Sequence, residues 1–93
     1  MKLLTVKEIK ATMRKVPGWK RNGDELFKIF VLKDFVQAMG FVSSVALLAE
    51  KANHHPDIVI KWNMVTLVLS THSEGGLTAL DFSLAQAINK LQR

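Results

Sequence analysis

The segment of residues 34–52, which is unusually rich in apolar side chains, restricts the possible folds more than any other feature of the sequence. Asp34 followed by Gln37 is a helix-capping signal, which starts a helix of about eighteen residues ending at Ala52. The apolar side chains of this helix cover more than the ~100° of surface that one sheet face can bury. They are Phe35, Val36, Met39, Phe41, Val42, Val45, Ala46, Leu47, Leu48 and Ala49. We therefore expect a sheet on one side of the helix and the same helix of another subunit on the other.

A β-hairpin is predicted before this helix. Asn22-Gly23 is the dipeptide that most readily accepts the positive φ angles of a tight hairpin turn, and it separates residues 19–21 from residues 25–31. The second of these segments is rich in β-branched and bulky side chains, as a half-buried strand prefers. The two segments therefore predict a pair of antiparallel strands.

A second hairpin is predicted after the helix. Residues 57–71 are too long and too apolar for one typical strand. Asn63 tolerates a left-handed turn and divides them into strands over residues 57–62 and 65–71. In the last strand, two-residue alternation places three apolar side chains on one face and, if the strand continues that far, His72 on the other.

Two further helices complete the predicted architecture. Capping signals start them at Thr5 and Thr78, each with an acidic residue at the third position, and the first helix ends at about Val16. The order of elements is α-β-β-α-β-β-α. Hairpins joined by helices predict one domain over residues 1–93, of the two-layer α+β class: a four-stranded antiparallel sheet with helices on one face.

Composition narrows the function classes. The 93 residues include no cysteine, which excludes a disulfide framework and a thiolate zinc site and fits a reducing compartment. The positive charge is concentrated in residues 1–33, which hold nine Lys or Arg residues against three acids. These cations are spread over a helix and a hairpin, so we interpret them as a solvated face rather than a direct nucleic-acid contact. Without a signal peptide or a run of ~20 apolar residues, we expect a cytoplasmic protein that does not span a membrane.

Histidine is the residue type best suited to chemistry in this chain. His54 and His55 are adjacent at the end of the central helix, and His72 lies in the segment Ser70-Thr71-His72-Ser73. An imidazole with a pKa of about 6.5 holds or releases a proton at neutral pH. Glu50 stands four residues before His54, the spacing at which helical side chains meet, so we expect Glu50 to orient His54. Pro56 stiffens the turn that carries the pair. The pattern predicts an acid/base site.

Other interpretations of these residues stay open. The histidines also suit an ordinary helix end, where imidazolium complements the helix dipole, and an ordinary strand end. A three-histidine metal site is a rival, although adjacent histidines on one turn seldom converge on one ion. Trp19 favours the core, whereas Trp62 suits the core and stacking on a flat ligand equally well.

The arrangement of these residues resembles the signature of the pterin-4a-carbinolamine dehydratase family. Glu50-x-x-x-His54-His55-Pro56 is followed by an aromatic residue at Trp62, by His72, and by Asp81 nine residues after that. Further matching positions are Gly18-Trp19, residues 27–30, Lys33-Asp34-Phe35, Phe41, Val45-Ala46 and Gly76-Leu77. The similarity thus extends over nearly the whole chain.

The resemblance implies dehydration of 4a-hydroxytetrahydropterin to quinonoid dihydropterin, which recycles the pterin cofactor of aromatic amino acid hydroxylases, with no metal or other cofactor. Our hypothesis is that His54 and His72 donate protons to the leaving oxygen from its two sides, that His55 binds the substrate and assists as base, and that Glu50 orients His54. The implied substrate-binding positions are Asn53, His54, His55, Pro56, Ser70, Thr71, His72 and Ser73.

The resemblance also implies self-association. Members of this family form a homotetramer or a homodimer through the second helix and the sheet edges. The alternative function is a non-catalytic one, as a dimerisation or assembly cofactor that uses the helix surface to bind a protein partner. A pure scaffold has no reason to keep Glu50, His54, His55 and His72 together, and this chain has all four.

Overall fold

The computed structural model of the chain describes residues 2–92. These residues form three α-helices and one four-stranded antiparallel sheet, with the strands in the order β1-β2-β4-β3. The elements are α1 (Val6–Thr12), β1 (Lys20–Asn22), β2 (Glu25–Val31), α2 (Phe35–Ala52), β3 (Asp57–Lys61), β4 (Met64–Leu69) and α3 (Ala79–Lys90). The predicted α+β architecture is confirmed.

The first hairpin turns one residue later than predicted. Asn22 still pairs with Glu25, so the turn consists of Gly23 and Asp24. Gly23 has a φ of 61°, and Asn22 stays extended in β1. A left-handed first turn residue suits a two-residue hairpin, and glycine adopts it without a steric penalty.

The turn of the second hairpin is formed by Trp62 and Asn63, and its left-handed residue is the tryptophan. Trp62 has a φ of 51°. Asn63 does not adopt that conformation. It is instead hydrogen-bonded to Leu32, the residue that follows β2. Its side-chain amide donates to the carbonyl of Leu32 at 3.0 Å, and its own carbonyl accepts from the Leu32 amide at 2.8 Å. The prediction that Asn63 takes the left-handed turn is therefore wrong.

The second helix has the bounds that its sequence predicts. Asp34 accepts a hydrogen bond from the Gln37 amide at 2.8 Å, and the helix runs for 18 residues. Its core-facing side chains are Ala38, Phe41, Val45 and Ala49. Phe35, Val36, Met39 and Leu47 remain exposed on the same helix. Within residues 2–92, α2 is the one helix long and apolar enough to cross a membrane by length and composition, a test that core helices of globular proteins also pass.

The core lies between one face of the sheet and the helices. Leu26, Val65, Leu67 and Leu69 are inaccessible to solvent, whereas side chains that alternate with them, such as Ile29, stay exposed. The first helix ends earlier than predicted, because residues 13–15 tighten into a 3₁₀ turn before the buried Val16. The sheet is therefore covered on one face only.

The first hairpin is tied to the end of α3 by a polar cluster beside the core. Trp19 is buried, as predicted, and its indole N–H donates to the Asn89 side chain at 3.0 Å. The ammonium of Lys28 donates to the same oxygen at 2.9 Å and lies 4.8 Å from the centre of the Phe30 ring. Burial lowers the pKa of Lys28 from its ordinary value. The cluster satisfies the polar atoms that enter this end of the core.

Candidate active site

The end of α2 directs the two adjacent histidines to different environments. Asn53 adopts the left-handed conformation, with φ 49° and ψ 44°, and the amide of His54 donates back to the carbonyl of Ala49 at 3.1 Å. This left-handed helix end changes the direction of the chain sharply at Asn53. His54 is consequently only 9% exposed, whereas the side chain of His55 is 56% exposed.

His54 is paired with a buried carboxylate from the start of α3. Its Nε2 lies 2.6 Å from Oδ1 of Asp81, a residue with no exposed surface. Because a carboxylate only accepts hydrogen bonds, the contact places a proton on Nε2 of His54. Proton transfer to or from another molecule would then use Nδ1.

Asp81 also holds the segment that carries the third histidine. Its Oδ2 accepts from the hydroxyl of Thr71 at 2.8 Å and from the amide of Thr78 at 2.9 Å. The Thr71 hydroxyl proton is used by the carboxylate, so the hydroxyl of Thr78, 2.8 Å away, donates to Thr71. Among residues 2–92 no buried side-chain nitrogen or oxygen lacks a partner. One carboxylate thus links the His54 turn to the residue that precedes His72.

Glu50 contacts His55 rather than His54. Its Oε2 is bonded to Nε2 of His55, and both side chains are largely exposed. The predicted contact between Glu50 and His54 assumed that helical geometry continues for four residues, but the helix ends at Ala52. The expectation that Glu50 orients His54 is therefore wrong, and Asp81 occupies that place.

His72 lies in the connection between β4 and α3. The strand ends at Leu69, and residues 72–74 form one 3₁₀ turn that Gly75 closes with a φ of 77°. The Thr71 amide donates to the Gly76 carbonyl at 2.8 Å, which fixes the base of this loop. The sequence placed His72 on the same strand face as Ser70 only if the strand continued that far. Because β4 ends at Leu69, His72 is not on that face.

The exposed ring of His72 borders a separate polar cavity of about 370 Å³. The other lining residues are Asn22, Asp24, Glu25, Ser70 and Gly75. His54 and His55 do not line it. The Ser70 hydroxyl donates to the carbonyl of Asp24 at 2.7 Å, so its proton is engaged within the protein. The structure thus connects His72 to His54 through Thr71 and Asp81 rather than through one shared cavity.

The remaining predicted positions surround these groups. Asn53 and Ser73 are exposed, and Pro56, the residue before β3, is half-buried. Trp62 is 68% exposed and so is not a core residue. Within the described part of the chain, no group of three His, Asp or Glu side chains is placed to hold a metal ion.

Sequence reasoning missed the function of Asp81 and Thr71 in this arrangement. Asp81 appeared only as a helix cap and as one position of the family resemblance. The sequence feature that could have predicted this role is the capping box, because a carboxylate at its third position uses one oxygen for the cap and has a second oxygen free to bind another group. Here Oδ2 completes the cap with Thr78, and Oδ1 binds His54.

Comparison with known proteins agrees with the resemblance seen in the sequence. The profile of the family described as pterin 4 alpha carbinolamine dehydratase matches residues 2–91. A relative from Roseiflexus castenholzii is 51% identical over 89 residues, covering 96% of both chains. A relative from Thermomicrobium roseum is 48% identical over 83 residues, covering 89% of both chains. Both carry the provisional name pterin-4-alpha-carbinolamine dehydratase.

Two solved structures share the fold. The transcriptional coactivator/pterin dehydratase of Brucella melitensis superimposes with a TM-score of 0.91 at 38% identity, over 95% of this chain and 96% of that one. A pterin dehydratase-like RuBisCO assembly factor of the alpha-carboxysome superimposes with a TM-score of 0.65 at 23% identity, over 78% of this chain and 84% of that one. The second similarity concerns the fold alone.

Proposed function

The chain belongs to the pterin-4-alpha-carbinolamine dehydratase family, and we propose that it dehydrates 4a-hydroxytetrahydropterin to quinonoid dihydropterin. This reaction recycles the pterin cofactor of aromatic amino acid hydroxylases. The observation that carries the proposal is the buried pair of His54 and Asp81, in which the carboxylate fixes the imidazole with one nitrogen left for proton transfer. The cysteine-free composition favours the cytoplasm as the place of the reaction.

The reaction needs one acid and one base. An acid protonates the hydroxyl on C4a, the C–O bond breaks, and the oxygen leaves as water. A base removes a proton from a pterin nitrogen as the new C=N bond forms. His54 acts as an acid through Nδ1 when both ring nitrogens carry a proton, and the Asp81 carboxylate, which accepts from Nε2, stabilises this imidazolium.

The other two histidines complete the proposed set. His72 donates a hydrogen bond to the leaving oxygen from the second side, so that the oxygen takes one proton and leaves as water. His55 binds the substrate and assists as base, and the exposed Glu50 orients His55. Asp81 is a positioning residue that acts through His54. The left-handed Asn53 and the hydrogen bond from the Ser70 hydroxyl to the Asp24 carbonyl hold the segments on which these groups lie.

Turnover of variants in a stopped-flow assay with freshly generated 4a-hydroxypterin tests these assignments. We expect His54→Ala and His72→Ala each to lower kcat by about 10²- to 10⁴-fold, the usual contribution of a positioned acid or base. Lys51→Ala, an exposed change on the last turn of α2, serves as the matched control and keeps wild-type turnover. Wild-type rates in both histidine variants would refute the assignment. Loss of wild-type activity on adding a chelator would point to a metal-dependent reaction instead.

We also propose that the chain forms a homodimer or homotetramer through α2. The exposed fractions of Phe35, Val36, Met39 and Leu47 are 51%, 79%, 42% and 74%, and such a row is costly to leave in water. Light scattering of Val36→Glu and Leu47→Glu tests this surface. We expect a smaller mass than that of the wild type, and an unchanged mass in both variants would remove α2 from the assembly.

A second candidate function uses the same helix surface. The Brucella melitensis protein, 38% identical to this chain, is described as a coactivator as well as a dehydratase. A non-catalytic role as a dimerisation or assembly cofactor would need α2 and not the histidines. Absence of dehydratase activity in the wild-type protein, with self-association intact, would favour this alternative.

A further inference from the structure

Three segments meet at one end of the sheet, and His72 belongs to the middle one. β4 lies between β2 and β3, and the antiparallel registers place the start of both neighbours beside the end of β4. Asp24 leads into β2, residues 54–56 lead into β3, and His72 follows β4. The loop that carries His72 therefore leaves the sheet between Asp24 and residues 54–56.

The distance across these segments suits a flat ligand of two fused rings. Neighbouring strands are about 4.8 Å apart, so the segments that lead into β2 and β3 are separated by about 10 Å. A pterin with its C4a atom at His72, in the middle, would extend one ring toward His54 and His55 and the other toward Asp24. This placement rests on the proposed function.

The cavity beside His72 offers more hydrogen-bond acceptors than donors. Its lining residues are Asn22, Asp24, Glu25, Ser70, His72 and Gly75. The two carboxylates can only accept hydrogen bonds, and the Ser70 hydroxyl donates its proton to the Asp24 carbonyl. Within residues 2–92 the ion pairs are those of Asp81 and Glu50, so no cation of the protein neutralises either carboxylate of the cavity. The lining thus favours a ligand edge that donates hydrogen bonds.

Asp24 is the carboxylate whose position the fold fixes best. Its carbonyl is bonded to the Ser70 hydroxyl at 2.7 Å. Its side chain lies against the buried Gly76, with Oδ1 3.5 Å from the place that a Cβ at residue 76 would occupy. Gly76 pairs with Thr71, the residue before His72. Both ends of Asp24 therefore contact the base of the loop that carries His72.

The two rings of a pterin differ in what they offer to these residues. The pyrimidine ring presents an N–H at N3 beside the amino group on C2, and a carboxylate accepts such a pair of parallel donors with its two oxygens. The nitrogen that loses a proton in the reaction is bonded to C4a in the other ring, which the proposed base His55 must reach. We propose that Asp24 is a specificity residue that binds the 2-amino and N3–H groups of the pterin. It lies outside the implied substrate-binding positions, all of which fall in residues 53–73.

The contact predicts which pteridines the protein distinguishes. A pteridine with an oxo group on C2 presents an acceptor beside the N3–H, and the Asp24 carboxylate repels that acceptor. An asparagine side chain has one acceptor and one donor, the pattern that matches the 2-oxo ring. Asp24→Asn should therefore exchange the preferred ligand rather than only weaken binding.

Binding of two unreactive ligands tests the contact without any turnover. The probes are 7,8-dihydropterin and 7,8-dihydrolumazine, its 2-oxo counterpart, titrated by isothermal calorimetry. We expect the wild type to prefer dihydropterin by about 10- to 100-fold, the usual range for hydrogen bonds to a charged group. Asp24→Asn should lose this affinity by a similar factor and bind dihydrolumazine more tightly than the wild type does. A wild type that binds both alike, or an unchanged preference in Asp24→Asn, overturns the proposal.

Glu74→Gln is the matched control for the loss of a charge. Glu74 is exposed in the same turn as His72 but does not line the cavity, so its variant should keep the wild-type preference. Equal losses of dihydropterin affinity in both variants would assign the effect to net charge and refute the contact. Asp24→Ala is a second test of the same position: it should bind dihydropterin as weakly as Asp24→Asn without gaining affinity for dihydrolumazine.

The kinetics separate this proposal from the proposed function. Asp24 binds an edge of the substrate away from the C–O bond that breaks, so we expect Asp24→Asn to raise KM by about tenfold or more while kcat stays within about threefold. A fall in kcat at unchanged KM would overturn its role in specificity. An inactive wild type that still binds dihydropterin through Asp24 would refute the dehydratase alone. An active wild type whose Asp24→Asn variant binds both pteridines normally would refute the Asp24 contact alone.

Discussion

Replacing Asp81 with asparagine would test how His54 is held. The buried carboxylate has three donors, which are His54 Nε2, the Thr71 hydroxyl and the Thr78 amide. An asparagine whose oxygen takes the Oδ2 position keeps the two threonine bonds but turns its NH₂ group toward His54. His54 must then accept this bond at an unprotonated Nε2, so it is held as the neutral imidazole with its proton on Nδ1 and loses the imidazolium form that gives a proton to the leaving oxygen.

The structure sets the size of both expected effects. The loss of the charge on Asp81 weakens hydrogen bonds worth about 1.5–3 kcal/mol each without emptying the site, so we expect the free energy of unfolding to fall by about 1–3 kcal/mol. A reversed tautomer behind a catalytic histidine lowers turnover by up to about 10⁴-fold in a well-studied protease. We expect a loss in kcat of about 10²- to 10⁴-fold here.

Thr71→Val provides the matched control. It removes a donor to the same carboxylate, at 2.8 Å, and leaves the contact between His54 and Asp81 in place. It should lower the free energy of unfolding by about 1–3 kcal/mol, in the range expected for Asp81→Asn, because the valine cannot bond Asp81 or Thr78. Its kcat should fall by less than about tenfold.

Urea unfolding and stopped-flow turnover of both variants decide the matter. If Asp81→Asn unfolds more easily but turns over at the wild-type rate, the carboxylate is only structural and the positioning of His54 is refuted. Equal losses of kcat in Asp81→Asn and Thr71→Val would refute the argument from the tautomer.

Further predictions concern the fold. The hydrogen bond from the Thr5 amide holds the pKa of Glu8 below its ordinary value. The ionised carboxylate therefore stabilises the protein above the pKa that Glu8 has in the unfolded chain, and this stability is lost as pH falls through the pKa of the folded state. In urea unfolding at pH 6 and pH 3, the free energy of unfolding of Glu8→Gln should fall less between the two pH values than that of the wild type. Leu67→Ala empties a fully buried position and should cost about 2–5 kcal/mol in urea; a loss below 1 kcal/mol would contradict its place in the core. Gly75→Ala, at a φ of 77°, should lower Tm, whereas Gly40→Ala, in a helix with free space around it, should raise it; the opposite order would contradict these conformations.

Local patterns in the sequence predicted most of the fold. The caps at Asp34 and Thr78 and the apolar periodicity of α2 depend on residues within one or two helical turns, and the structure has each of them. The errors were also local. The turns at Gly23 and Trp62 shifted because the pairing of whole strands, and the bond of Asn63 to Leu32, decided which residue adopts positive φ.

The sequence predicted which residue types form the candidate site but not which of their side chains contact one another. The spacing of Glu50 and His54 suggested one contact, and the left-handed Asn53 replaced it with another. Helical spacing applies only while the helix continues, and the end of α2 falls between the two residues.

By itself the sequence determined the order of the elements, the length of α2 and the presence of three imidazoles, because these depend on neighbours along the chain. Only the tertiary structure decided that His54 meets Asp81, 27 residues away, and that Thr71 joins them. The packing of α3 against α2 sets the distance between His54 and Asp81, and no spacing in the sequence encodes it.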